Sequence, residues 1–190
     1  MSRSEPARIA ARRIRSAILT ALVVVTALSP PTAPGETDGA VPEDVRVFDD
    51  DMPAVAKLDP GLLGALRHAA RDAAKDGITL VVNSGWRSRA YQKQLLRAAV
   101  AKYGSEQAAA RWVATPDTSS HVSGNAVDIG PARAAAWLSK HGAEYGLCRI
   151  YRNEPWHYEW RPEARDARKT NDDGCPSKYA DPRHDPRMHQ

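Results

Sequence analysis

Between Pro60 and Gly77 the apolar residues fall at Leu62, Leu63, Leu66, Ala69, Ala70 and Ala73, a spacing that lines one face of a helix. Asp59-Pro60 supplies its start, an N-cap followed by proline at the first helical position, and Gly77 supplies its stop. The pattern then changes. Ile78–Asn83, "ITLVVN", is a short β-branched run and predicts a buried strand, with "SGWRSR" as the turn that follows it. Helical spacing returns from Ala90 to about Tyr103, with Leu95, Leu96 and Ala99 on one face, and a second piece runs from Glu106 to Val113 after Gly104. "ATPDTSS" reads as a loop, Ala126–Ile129 as a short strand and Pro131–His141 as a helix. Cys148–Tyr151 and Trp156–Trp160 read as two strands joined by the turn "RNEP". Helices come mainly first and strands later, without regular βαβ alternation, so the pattern predicts an α+β fold.

The periodic region bounds a domain over residues 57–175. Residues 30–56 are rich in Pro, Gly, Asp and Glu and predict a flexible linker; residues 176–190 lack an apolar period and predict a disordered tail. Residues 1–29 differ again. Arg3, Arg8, Arg12, Arg13 and Arg15 precede the uncharged run Ala17–Leu28. That run is short for a spanning helix, which needs roughly 20 residues, and it suits the apolar centre of a signal peptide. Cleavage would release a secreted protein, and retention would leave an N-terminal membrane anchor. Either way the expected location is the cell envelope, outside the cytoplasmic membrane.

Charge adds little once that segment is set aside. The chain carries a formal net charge of +4, and residues 1–29, with five Arg and one Glu, carry all of it. The remainder is neutral, which argues against nucleic acid as a partner. In an exported chain the only two cysteines, Cys148 and Cys175, favour a disulfide; two unpaired thiols are the alternative.

Three stretches carry candidate chemistry: "SGWRSRAYQ" at 84–92, "SSHVSGNAVDIG" at 119–130 and "NEPWHYEW" at 153–160. Each alone has an ordinary reading as a turn, a capped strand or a strand entry. Asp128, however, interrupts an apolar strand, and a buried carboxylate demands a partner. His121, Asp128 and His157 together offer two imidazoles and a carboxylate, a set that suits zinc with one position open. Pro155 forbids a continuous helix from Glu154 to His157, and residues three apart in a strand face opposite ways. Both side chains reach one site only if the chain turns near Pro155.

In this order the motifs resemble the zinc D-Ala-D-Ala carboxypeptidases and dipeptidases of the VanY type, over roughly residues 58–162. The resemblance implies a small antiparallel sheet flanked by helices, shared with the Hedgehog signalling domain, and one zinc ion held by His121, Asp128 and His157. It implies Glu154 as general base and acid. Arg87 would hold a substrate carboxylate or stabilise developing charge, Gln92 and Ser119 would contact substrate polar groups, and Trp156 would line the pocket. The implied substrates are peptidoglycan stem peptides, and a monomer is expected. Trp86 stands where the family often has tyrosine, and "YEWRPE" lacks the usual glycine soon after the histidine. D-alanyl-D-alanine carboxypeptidase is the leading expectation, with zinc-activated water as the nucleophile. A D,D-dipeptidase, a cross-link endopeptidase and a non-catalytic cell-wall binding module are the alternatives.

Overall fold

A computed structural model of the chain describes residues 33–167, 175 and 179–189; the expected signal peptide lies outside them. Four strands form one antiparallel sheet in the order β1 (Val81–Ser84), β2 (Ala126–Gly130), β4 (His157–Trp160), β3 (Leu147–Arg149). The helices are α1 (Pro53–Ala56), α2 (Pro60–Lys75), α3 (Arg89–Tyr103), α4 (Glu106–Ala109), α5 (Ala132–His141) and α6 (Ala164–Ala167). The architecture is the expected α+β one.

Strand alternation sorts the molecule into two sides. Val127 and Ile129 of β2, Tyr158 of β4 and Leu147 of β3 join Leu62, Leu66, Ala69 and Ala73 of α2 and Leu138 of α5 in the main core. The intervening residues Asp128, His157 and Glu159 sit on the opposite face, where burial comes from loops and from the chain's C-terminal part. Register fixes the rest: Asp128 lies directly across from His157, and Ser84 lies across from Asp128 after a bulge in β1.

Helix α2 starts as its sequence dictates, with the Asp59 carboxylate accepting from the backbone N–H groups of Gly61 and Leu62. Other predicted elements shift by a few residues. β1 begins at Val81 rather than Ile78, and α4 ends at Ala109 rather than Val113.

Two expectations need correction. Residues 33–56 do not form a linker. Val45 and Val47 are buried in the main core with Val55, Arg46 bridges to Val81, and the Val82 N–H donates to the Val45 carbonyl at 2.7 Å. Three scattered valines among prolines and acids show no local period, so only the tertiary fold reveals that they are core. Nor do residues 179–189 form a disordered tail. Tyr179 bridges in parallel to Tyr151, and Pro182–His184 and Pro186–His189 make short 3₁₀ turns. Backbone pairing and ion pairs hold this segment, and neither needs an apolar period. A smaller cluster of Cys148, Ile150, Tyr151 and Ala164, with Cys175 and Tyr179 against it, underlies it. The expected Cys148–Cys175 disulfide is formed, with Cα atoms 5.5 Å apart.

Candidate active site

The loop after β1 places the first motif. Gly85 is required by contact: a Cβ there would lie 2.1 Å from the Ala54 carbonyl oxygen. Its own carbonyl accepts from His121 Nδ1 at 2.8 Å, so His121 Nε2 is left with its lone pair. His121 belongs to a run of turns closed by Gly124, whose φ of 77° and carbonyl bond to Asp59 N–H tie the loop to the start of α2. His157 enters β4 from a turn in which its N–H donates to the Glu154 carbonyl at 3.1 Å. This is the turn that Pro155 demanded. On the other ring nitrogen, His157 Nε2–H donates to Glu159 Oε1 at 3.3 Å, and Nδ1 points into the site.

Three ligand atoms then converge. His121 Nε2 is 3.3 Å from His157 Nδ1, His157 Nδ1 is 3.1 Å from Asp128 Oδ1, and His121 Nε2 is 3.4 Å from Asp128 Oδ1. A tetrahedral zinc with bonds of about 2.0–2.1 Å sets its ligand atoms roughly 3.3–3.4 Å apart. The triangle matches that edge length, the donors are those zinc prefers, and each imidazole has its second nitrogen committed to an acceptor. The residues fit the metal.

Electrostatics agree. Burial, and then the charge of Arg87, lower the pKa of His121. Burial also opposes charge on His157, but hydrogen bonds to Asp128 and Glu159 outweigh it and raise its pKa to about 10. Without a cation, a proton therefore occupies the place between His157 and Asp128 that a metal would take. Asp128 is held well below the usual carboxylate range, burial being overcome by the two histidines.

Beside the triangle, Glu154 is buried, with Oε2 3.9 Å from His157 Nδ1. Burial pushes its pKa up to about 7, against the pull of His157. Arg87 donates from Nη2 to Asp128 Oδ2 at 3.0 Å, from Nε to Ser84 Oγ at 2.8 Å and from Nη1 to Gln92 Oε1 at 3.1 Å. Gln92 is fully buried and passes its Nε2–H to the Ala114 carbonyl. Its polar ends thus serve Arg87 and a loop, while two of the five N–H groups of Arg87 remain for other partners. A cavity of about 430 Å³ is lined by the triangle, Glu154, Arg87 and Gln92. Buried Ser119 lines it, and Trp156, 39% exposed, stands at its rim.

Sequence reasoning missed Glu159, Arg187, and the cavity-lining Trp112, Pro182 and Met188. Glu159 had a signal, since two residues after a ligand in a strand means the same face. Arg187 had none.

A sequence model of the family described as VanY, D-alanyl-D-alanine carboxypeptidase, matches residues 55–163. The chain belongs to the VanY family. A D-alanyl-D-alanine carboxypeptidase of Enterococcus faecalis (strain ATCC 700802 / V583) is 35% identical to it, the match covering 47% of this chain and 43% of that relative. This VanY-family chain therefore matches less than half the length of that curated relative. Among solved structures, it is similar to a variant of the vancomycin-resistance D,D-pentapeptidase VanY in complex with Zn(II) (TM-score 0.51, 30% identity, 54% of this chain and 72% of that one). It is also similar to VanYB in complex with D-alanine-D-alanine (TM-score 0.53, 28% identity, 60% and 75%). An LD-carboxypeptidase, LdcB, shares the fold (TM-score 0.56, 24% identity, 71% and 73%).

Proposed function

We infer that the protein is a zinc-dependent D-alanyl-D-alanine carboxypeptidase that trims peptidoglycan stem peptides. The observation that carries this reading is the His121–Asp128–His157 triangle at zinc edge length, with a buried carboxylate of raised pKa beside it. A family relative crystallised with zinc and another with D-alanine-D-alanine support the metal and the substrate class. The arginine-rich N-terminal segment and the disulfide support action outside the cytoplasmic membrane.

A bound zinc ion supplies positive charge that polarises a scissile carbonyl and acidifies water. Glu154 takes the proton of the attacking water on its carboxylate and returns it to the nitrogen of the leaving D-alanine. A pKa near 7 lets one group do both. Arg87 holds Asp128 through Nη2 and lines the cavity, where its two uncommitted N–H groups can receive a substrate carboxylate. Ser119 offers a hydroxyl from the cavity wall, and the Trp156 ring covers the rim. Gln92 anchors the Arg87 guanidinium at Nη1.

Mass spectrometry of defined muropeptides ending in D-Ala-D-Ala, incubated with zinc-loaded protein with and without a chelator, tests the reading. Chelator-sensitive loss of one terminal D-alanine is expected. Release of the dipeptide or cleavage of a cross-link would keep the peptidase and change its specificity. Intact muropeptides with zinc bound would overturn the enzyme reading.

A further inference from the structure

The family match ends at residue 163, yet the cavity is not complete there. Pro182 and Met188 form part of its wall. The same segment runs beside the stretch that leads into Glu154. Tyr179 N–H donates to the Ile150 carbonyl at 2.9 Å, Arg152 N–H to the Tyr179 carbonyl at 2.9 Å, and Asn153 N–H to the Ala180 carbonyl at 3.2 Å. Further on, Arg187 donates from Nη1 to Glu159 Oε2 at 2.7 Å and from Nη2 to Oε1 at 3.2 Å.

That fork matters because of what Glu159 does. Its side chain is almost wholly buried, and Oε1 accepts from His157 Nε2 and, at 3.0 Å, from Ser120 Oγ. A two-point bond to a planar guanidinium fixes the plane of a carboxylate. Here the plane so fixed is the one that aims Oε1 at the His157 ring. Arg161 also reaches Glu159, but in a single bond to Oε2, which cannot set that plane. Arg187 is itself held by Asp185, which is wholly buried and accepts from Tyr151 Oη at 2.9 Å. The Tyr151 ring lies 5.2 Å from that of His157. The contacts run from the C-terminal segment to a ligand of the triangle without a gap.

We propose that Pro182, Arg187 and Met188 of the C-terminal segment complete the active-site framework, with Arg187 as a positioning residue that orients Glu159 and, through it, the His157 imidazole for metal binding. The inference rests on the metal reading of His121, Asp128 and His157. Loss of an outer partner of a metal-ligating histidine typically weakens metal binding by about 10- to 100-fold.

The test is zinc affinity, measured by competition with a chromogenic chelator on the full chain, together with the visible absorption bands of the Co(II)-loaded protein. Arg187→Gln, one contact further out than Glu159, should weaken zinc binding by about 10-fold, the low end of that range, and shift the cobalt bands. Arg187→Lys keeps the charge without the fork; it guards against loss of folding and should fall between the two. Arg183→Gln removes an arginine of the same segment that bonds Asp181 instead, and should stay within about twofold of the parent. Equal weakening in Arg183→Gln and Arg187→Gln would overturn the proposal, because the effect would then belong to the segment's charge. Parental affinity and bands in both Arg187 variants would overturn it too. His121→Ala separates the two layers. If it loses zinc while the Arg187 variants keep it, only the Arg187 role falls; if it binds zinc like the parent, the metal reading falls with it.

Discussion

Glu154 and His157 sit three residues apart, and one turn gives them different duties: His157 turns Nδ1 toward the triangle, and Glu154 stands beside it with a titratable oxygen. The variant Glu154→Gln is nearly isosteric and removes only the ability to carry a proton. It should retain zinc in elemental analysis and lose at least about 100-fold in turnover of a D-Ala-D-Ala peptide. Turnover close to the parent's would remove Glu154 from the mechanism. A second expectation concerns His157. In metal-free protein its pKa is raised to about 10, so at neutral pH it carries a proton that a metal must displace. Titration calorimetry of zinc binding in two buffers of different ionisation enthalpy should therefore show release of about one proton per ion. Heats that are independent of the buffer would contradict this assignment. That His121, Asp128, His157 and Glu154 meet in one place was legible because their types and order are chemically restrictive. Gln92 was legible as a site residue, but not its bonding: only the fold shows both its ends engaged, one by Arg87 and one by the Ala114 carbonyl.

At the scale of elements, local signals worked where one residue dictates one geometry. Asp59 caps α2 and Gly77 follows its end at a φ of 69°, both as the pattern required. Replacing Asp59 with alanine leaves two backbone donors without their acceptor and should lower stability by about 1 kcal/mol in urea unfolding. An unchanged midpoint and slope would show that the cap is dispensable. Gly85→Ala is a harsher change. The added methyl would meet a backbone carbonyl at 2.1 Å, which no rotamer can relieve. Overpacking of this kind costs about 1–3 kcal/mol, and displacement of the loop would also disturb the acceptor of His121. Thermal melts and zinc affinity should fall together. Strand boundaries were less legible than helix starts: β1 begins at Val81, after Ile78 to Leu80, because pairing with β2 and Arg46, not local composition, decides where a ladder starts.

Across the whole molecule, segments from both ends of the described chain converge on the site. Ser88, after the first motif, donates from Oγ to Asp38 and from its N–H to the Asp38 carbonyl, while residues 179–189 brace the opposite side. Neither segment was legible in the sequence, because their anchors are single side chains and backbone bonds to residues far along the chain. The disulfide was legible from a single pair of cysteines in a chain expected to be exported. Serine at Cys175 should lower stability by about 3–4 kcal/mol on the loop-entropy estimate, read from denaturant unfolding. Acid should act through Glu159. Burial opposes its ionisation, but His157 and Arg187 outweigh burial and hold its pKa below the ordinary value. A carboxylate with a depressed folded pKa contributes stability above its unfolded pKa of about 4.3, and that contribution is lost as pH falls below it. Glu159→Gln should therefore show a flatter fall in unfolding free energy between about pH 5 and pH 2 than the parent. An identical slope would mean Glu159 titrates alike in both states.

The pairing of residues 179–180 with 150–153 also imposes an order in time. A chain is synthesised from its N-terminus, and every motif residue through His157 is available before the segment that braces them. The sheet and α2 can pack at that stage, since among the described residues their core holds none beyond Trp160. The cavity wall and the Arg187 fork cannot form until Arg187 and Met188 have emerged. The order of synthesis thus separates two events: packing of the sheet core comes first, and completion of the cavity wall and the Arg187 fork comes afterwards.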